Sequence, residues 1–118
     1  SYLIKSRVIA KISYFYILLD YFITIKKVVT VIDVNEPTRK IAIKNFVRNP
    51  IFCAFGVNNA PTFRDYEEFL ESRCFPRSRD KMKIILRDLG LPFYDPFLII
   101  QKTKGKMAED DFWIEIER

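Results

Sequence analysis

Apolar and polar residues alternate through the N-terminal third of the chain, in the segments YLIKSRVIAKISYFYILL and YFITIKKVVTVIDV. Both segments are rich in β-branched and aromatic residues, and neither contains glycine or proline. This composition is typical of β-strands. We therefore predict two or three antiparallel strands, with turns near Ser6–Arg7 and at Asp20.

The periodicity changes near Pro61. Before it, turn residues are mixed with short apolar segments that are expected to be strands or extended chain. After it, Thr62 and Asp65 have the spacing of a capping box, which predicts the start of a helix. The apolar residues that share one face of this first helix are Phe63, Tyr66, Phe69 and Leu70.

Two further helices are predicted from their capping residues. Ser78 is the expected N-cap of the second helix, and Gly90 stands where the chain would leave its last turn. The apolar stripe of this helix is Met82, Ile85, Leu86 and Leu89. Asp95 is the expected N-cap of the third helix, with Pro96 at its first position, and the helix should end before Gly105.

The segment DFWIEIE predicts a final strand that returns to the N-terminal sheet, because Phe112, Ile114 and Ile116 alternate with Trp113, Glu115 and Glu117. Strands followed by helices and a closing strand predict an α+β fold. The 118 residues, 49% of them hydrophobic, fit one domain over residues 1–118. Residues 1–60 are expected to be mainly β, 61–105 helical, and 111–117 the last strand.

The most apolar window, YFYILLDYFITI, is 12 residues long and is interrupted by Asp20. A helix that crosses a bilayer needs about 20 apolar residues. The N-terminus also lacks the pattern of a secretory signal. We therefore expect a cytoplasmic protein that does not contact a membrane.

Charge is divided into blocks within a net charge of +5. Residues 1–50 and 73–106 each carry nine basic and three acidic side chains, whereas 51–72 and 107–118 are acidic. The basic candidates for binding phosphate or carboxylate groups of a partner are Arg77, Arg79, Lys81, Lys83, Arg87, Lys102, Lys104 and Lys106. The alternative for these residues is a solvated surface, in which Asp80 and Asp88 balance the charge.

Acidic residues form a second, smaller set of candidate contacts to a basic groove, namely Glu67, Glu68, Glu71, Asp110 and Asp111. They are too few to imitate a DNA duplex. Sequence-specific DNA reading is also disfavoured, because a recognition helix exposes polar side chains and the third helix contains Phe97 to Ile100 in succession.

No catalytic constellation can be assembled from the sequence, so we expect a protein that is not an enzyme and uses no cofactor. The chain has no histidine, and its three glycines form no phosphate-binding loop. Cys53 and Cys74 match no zinc motif, and no metal site is expected. Arg73 and Arg77 lie close to Cys74 in the sequence and would favour its thiolate form.

The segment FLESRCFPRSRDKMKIILRDLGL, followed by IIQKTKGKMAEDDFWIEI, places Phe-Pro-Arg-Ser-Arg between two predicted helices and ends in an aromatic closing motif. This order resembles the region that precedes the kinase domain in bacterial HipA-type serine kinases. The opening YLIKSRVIAKISYF is similar to the first strand pair of those proteins. The residues that carry the resemblance are Phe75, Pro76, Ser78, Arg79, Met107, Asp110, Phe112, Trp113 and Ile114.

The chain ends at Arg118, where such a kinase domain would begin, so the resemblance implies a stand-alone accessory module of a bacterial mobile element or phage. Small proteins of that setting include stoichiometric inhibitors such as anti-CRISPR proteins. The favoured expectation is a non-enzymatic, anti-CRISPR-like inhibitor of a Cas effector ribonucleoprotein. Two alternatives stay open: a toxin–antitoxin-type regulator that docks a separately encoded HipA-like kinase, and a small RNA- or DNA-binding protein.

A homodimer is also left open by the aromatic cluster Tyr14, Phe15, Tyr16, Tyr21 and Phe22. Antiparallel strands commonly bury one face, so about half of this cluster is expected to be exposed and available for self-association.

Overall fold

The computed structural model describes residues 5–117, with the side chains of Lys5 and Tyr16 excepted. The strands are β1 (Lys5–Leu18), β2 (Tyr21–Asn35), β3 (Lys40–Asn45) and β4 (Phe112–Glu117). The helices are α1 (Phe63–Ser72), α2 (Met82–Leu89) and α3 (Pro96–Thr103), with a short 3-10 helix at Pro50–Phe52. The predicted α+β fold is confirmed. The expected start of the first strand at residues 2–4 lies outside the described residues.

The four strands form one antiparallel sheet in the order β3-β2-β1-β4. The expected return of the last strand to the N-terminal sheet is correct, because β4 pairs with Arg7–Ile12 of β1. The predicted turn at Asp20 is also correct. The turn predicted near Ser6–Arg7 is wrong, because both residues lie within β1. There the Arg7 guanidinium forms a salt bridge with Asp33 on the neighbouring strand β2, with Nε and Oδ1 2.9 Å apart.

A projecting hairpin extends beyond the four-stranded part of the sheet. The last β1 residue paired with β4 is Ile12, and the first β2 residue paired with β3 is Thr30. Beyond them, Tyr14–Leu18 and Tyr21–Ile25 are recorded as pairing only with each other among the described strands. We call these two segments and the Leu19–Asp20 turn between them the arm.

Three residue pairs separate the arm from a β-bulge in β2. Ala10 lies opposite Thr30, whereas the next β1 residue, Lys11, lies opposite Val28. Val29 is therefore the extra residue of β2, and its side chain is only 1% exposed. A bulge of this kind bends the strand and increases its twist.

The core lies between the sheet and the helices. Val8, Ile32 and Ile114 contribute from the strands. Tyr66, Leu70, Leu86, Ile99 and Ile100 contribute from the helices and are all buried. Burial of these apolar side chains supplies most of the favourable free energy of folding. No helix in the described part of the chain combines the length and apolar character needed to span a bilayer.

The caps of α1 and α3 agree with the sequence. Thr62 and Asp65 form the predicted capping box, and the carboxylate of Asp95 accepts hydrogen bonds from the first turn of α3. The Ser78 N-cap is wrong, because α2 begins at Met82. The backbone N–H of Arg79 donates to the carbonyl of Pro76 at 3.0 Å, which places Ser78 inside a turn rather than at a helix end.

Candidate protein-interaction surface

The second helix presents basic and apolar side chains together to solvent. Lys81, Lys83 and Arg87 are exposed, and Ile84 between them is 45% exposed. We call these four residues the α2 surface. Phe93, shortly after the helix, is 56% exposed. The sequence identified the basic members, but it did not single out Ile84 or Phe93 as exposed.

Arg77 is held by the fold itself. Its guanidinium donates to Glu71 at 2.7 Å and lies 4.4 Å from the ring centre of Tyr94. The hydrogen bond to Glu71 is the main reason that the pKa of Arg77 is raised. The Tyr94 hydroxyl in turn donates to the carbonyl of Phe75 at 2.6 Å. Arg77 therefore anchors the loop before α2, and its role in binding a partner stays a prediction.

The two basic clusters predicted from the sequence meet in one groove. Arg79 from the loop before α2 and Lys106 from the loop after α3 both line an open cavity of about 690 Å³. Its apolar lining includes Phe75, Ile99 and Met107, and its acidic lining includes Glu71 and Glu109. We call this cavity the Arg79–Lys106 groove. It combines both signs of charge with apolar surface.

Lysines also surround a smaller cavity at the base of the arm, about 280 Å³ in volume. Lys26, Lys104 and Lys106 line it together with Phe15 and Trp113. We call it the arm-base pocket. Lys102, the remaining basic candidate of this region, is exposed in the last turn of α3. The clustering of Lys26 with the two loop lysines could not be inferred from their distance in the sequence.

Trp113 is more buried than the alternation of β4 suggests. The sequence placed it opposite Phe112, Ile114 and Ile116, yet it is only 8% exposed. The ammonium groups of Lys11 and Lys26 lie 5.0 and 5.6 Å from its ring centre. Long lysine side chains cover apolar surface while their charge stays in water.

Most of the acidic candidates are engaged within the fold. Glu67 pairs with Arg39 and Glu68 with Arg64, each at 3.2 Å. Glu71 is held by Arg77, and Asp110 by Arg73. Asp111 is exposed, and its backbone carbonyl accepts the N–H of Ser13 at 3.0 Å. Their role as partner contacts is a prediction that now rests chiefly on Asp111.

Both cysteines are free thiols. Cys74 is 7% exposed, and burial raises the pKa of its thiol to about 12. Glu71 and Asp95 raise the pKa further, while Arg77 and Arg73 oppose them. The two arginines thus favour the thiolate as expected, but they do not lower the pKa of Cys74 below its ordinary value, because loss of water outweighs their charge. Within residues 5–117, no three His, Cys, Asp or Glu side chains are grouped to hold a metal ion.

The arm carries an exposed apolar surface whose extent could not be predicted from the sequence. Ile17, Leu18 and Leu19 are 66%, 53% and 83% exposed, and Tyr21 and Phe22 are 74% and 81% exposed. Phe15 is 67% and Tyr14 41% exposed. The signal in the sequence was that apolar residues occupy successive positions here, so both faces of the strands are apolar.

No protein-family model matches the chain, and neither a curated protein nor a solved structure matches it. The resemblance to the region before the kinase domain of HipA-type proteins therefore stays a prediction.

Proposed function

We propose that the protein is a non-enzymatic binding protein that acts stoichiometrically on a larger protein or ribonucleoprotein. In this proposal the contact is made by the α2 surface and the adjoining Arg79–Lys106 groove. The observation that carries it is the exposure of Ile84 at 45% among Lys81, Lys83 and Arg87. Protein interfaces combine an apolar centre with a charged, solvated rim.

The mixture of charges favours a protein surface as the partner over bare nucleic acid. A nucleic-acid backbone presents uniform negative charge and attracts surfaces of uniform positive charge. The Arg79–Lys106 groove instead contains Glu71 and Glu109 beside Arg73, Arg79 and Lys106. Such a surface is complementary to a partner that also carries both signs, and complementary charges raise association rates and specificity.

A Cas effector ribonucleoprotein is the partner to test first, because the inhibitor proteins of bacterial mobile elements are the class that the sequence favoured. The purified protein is mixed with an assembled effector, and DNA cleavage is measured while the molar ratio is varied. Inhibition by contact should be complete near one protein per effector. The complex should also elute as one species from a sizing column.

A triple variant, R79E/K83E/R87E, tests the surface. Arg77 is left unchanged, since its replacement would also release Glu71. The matched control is K40E/K44E/R48E, which makes the same charge change at exposed residues of β3 and the loop after it. We expect at least a tenfold weaker inhibition for the α2 variant and no change for the control.

Equal inhibition by both variants would remove the α2 surface from the mechanism. Absence of inhibition by the unchanged protein would remove the Cas effector as partner. Binding of free RNA or DNA, with an affinity that falls steeply as salt is raised, would replace the proposal with simple nucleic-acid binding, because that salt dependence reflects counterion release.

A further inference from the structure

The arm exposes more apolar surface than the monomer explains. Seven large apolar residues of the arm are each between 41% and 83% exposed: Tyr14, Phe15, Ile17, Leu18, Leu19, Tyr21 and Phe22. With about 150–250 Å² for a large side chain, these fractions leave on the order of 900 Å² of apolar surface in water. The largest patch on a typical monomer is about 300–600 Å². One partner of a standard interface contributes about 800 Å².

On the β1 side of the arm, no strand other than β2 within residues 5–117 pairs with Tyr14–Leu18, so this backbone edge is open to another strand. The N–H of Ser13 donates to the carbonyl of Asp111 at 3.0 Å, so the polar backbone groups of Ser13 point away from β2. In an antiparallel strand, the backbone N–H and C=O groups of every second residue point to the same side. The N–H and C=O groups of Phe15 and Ile17 therefore also point away from β2. They lie past Ile12, the last β1 residue paired with β4. Such an edge is a template for another strand.

Charge distinguishes this edge from the one on β2. From Ile12 to Leu19, β1 and its turn contain no charged residue, whereas β2 carries Lys26 and Lys27 at the base of the arm. Charged side chains on an edge strand, lysine above all, discourage the addition of another strand, so the uncharged β1 edge is the better template for pairing.

The β1 edge is complementary to itself. When two copies run antiparallel with a twofold axis at the backbone of Tyr16, Phe15 of each copy lies opposite Ile17 of the other. Their outward N–H and C=O groups can then exchange hydrogen bonds, which is the arrangement of an isologous dimer. The pairing ends at Tyr14 and Leu18, since the next outward N–H, that of Ser13, is already bonded to Asp111.

The antiparallel arrangement also keeps the charges of the two tips apart. In such a pair, the tip of each arm, which carries Asp20, lies toward the base of the other, where the arm-base pocket is lined by Lys26, Lys104 and Lys106 together with Asp110 and Asp111. A parallel arrangement would instead place the two Asp20 residues side by side.

Leu19 adds a conformational argument. Its φ of 51° and the φ of 67° at Asp20 are left-handed, as in a type I′ turn, where Asn and Gly are the favoured residues. A leucine there is strained and is 83% exposed, so neither turn geometry nor the core explains it. At the tip of a pairing arm, its side chain lies near the apolar surface at the base of the second arm.

From these observations we infer that the protein forms a twofold homodimer in which the β1 edges of two arms pair antiparallel through residues 14–18. The inference does not depend on the function proposed above. It can be tested with the purified protein alone.

Proline substitutions at the two edges form a matched pair. Ile17→Pro removes an N–H that points away from β2, so it blocks pairing through β1 without taking a hydrogen bond from the hairpin. Thr24→Pro is the matched change on the outer edge of β2. Thr24 lies opposite Phe15, so its N–H also points out of the hairpin and its removal takes no hydrogen bond from the hairpin. By sedimentation equilibrium, we expect a dimer for the unchanged protein and for Thr24→Pro. For Ile17→Pro we expect a dissociation constant at least a hundredfold higher.

Hydrogen exchange of the unmodified protein provides a second measurement, which does not depend on how the variants fold. The amides of Phe15 and Ile17 should become more protected as protein concentration rises, whereas those of Phe22 and Thr24 should not. A monomer at hundreds of micromolar would overturn the inference, as would equal dimerisation of the two proline variants. Open-ended assemblies would indicate β1-to-β2 pairing instead. A monomer that sediments with anionic phospholipid vesicles would assign the arm to a lipid surface.

Discussion

Arg73 and Asp110 form a bidentate salt bridge that joins the end of α1 to the residues just before β4. The guanidinium donates to the two carboxylate oxygens at 2.8 and 3.0 Å. It also donates to the backbone carbonyls of Gly105 and Phe112. The Arg73 side chain is only 11% exposed, so one largely buried cation binds acceptors of three residues between the end of α3 and the start of β4.

Replacing Arg73 by lysine should lower the free energy of unfolding by about 2 kcal/mol, and replacing it by methionine by about 3 kcal/mol. A lysine keeps the charge but cannot reproduce the planar set of donors, and methionine removes all donors to the two carbonyls from this side chain and leaves the carboxylate with only the N–H of Phe112. Urea unfolding measures both values. The exposed Arg64–Glu68 pair is the control, and Arg64→Met should change stability by less than about 0.5 kcal/mol. Equal effects at the two arginines would contradict the role given to Arg73.

The same pair predicts how stability depends on pH. The hydrogen bond from Arg73 is the main cause of the lowered pKa of Asp110, with a further contribution from the N–H of Phe112. A carboxylate with a lowered folded-state pKa stabilises the fold above its unfolded value, near 3.9, and the stabilisation is lost as pH falls through the folded pKa. We therefore expect stability to fall below about pH 4. The fall should be shallower for Asp110→Asn, and identical acid profiles for the two proteins would contradict this assignment.

Two glycines separate the effect of backbone conformation from the effect of crowding. Gly90 and Gly105 both have left-handed φ angles, 74° and 62°. A side chain at Gly90 would meet open space, whereas a Cβ at Gly105 would lie 3.2 Å from Ile114 Cδ1 and 3.3 Å from Arg73 Cβ. Gly90→Ala should cost about 1 kcal/mol from conformation alone. Gly105→Ala should cost about 2–3 kcal/mol by thermal or urea unfolding, and equal costs would show that the neighbours yield freely.

The two thiols should differ sharply in reactivity. At pH 8 the raised pKa of Cys74 leaves almost no thiolate, and burial restricts access to its sulfur. Cys53 is only partly buried. Alkylation followed by intact mass should therefore show one label added first, and that label should be absent in Cys53→Ser. In denaturant the two cysteines should react at similar rates. A fast reaction of Cys74 in the folded protein would contradict its buried position.

Local signals in the sequence were enough to predict α1 and α3. Their caps use residues within three positions of each other, so neighbouring chain alone determines them. The start of α2 failed for a related reason: Pro76 and Arg79 close a turn that competes with Ser78 for the same segment. Two local rules conflicted there, and the sequence did not show which would prevail.

The candidate site depends on contacts that no local pattern reports. Arg79 and Lys106 are predicted from the sequence as binding residues, and their meeting in one groove follows from how the helices pack. The burial of Trp113 likewise requires Lys11 and Lys26 to be its neighbours, which the register of β1, β2 and β4 determines. The basic candidate residues could be chosen from the sequence, whereas the residues that surround each of them in space became known only from the structure.

The bulge at Val29 affects the direction in which the arm leaves the sheet. Ile32 and Val34 point into the core from even positions of β2, but after the bulge the odd positions, such as Ile25, continue that face. The adjacent Val28 and Val29 thus mark a change of phase in the sequence. Removing Val29 would leave each β1–β2 pair on its present face, because Val29 is the residue without a partner in β1, but it would take away the bend and the extra twist, so the arm would leave the sheet in a different direction. One residue therefore acts as a pivot that sets the direction of the arm independently of the core.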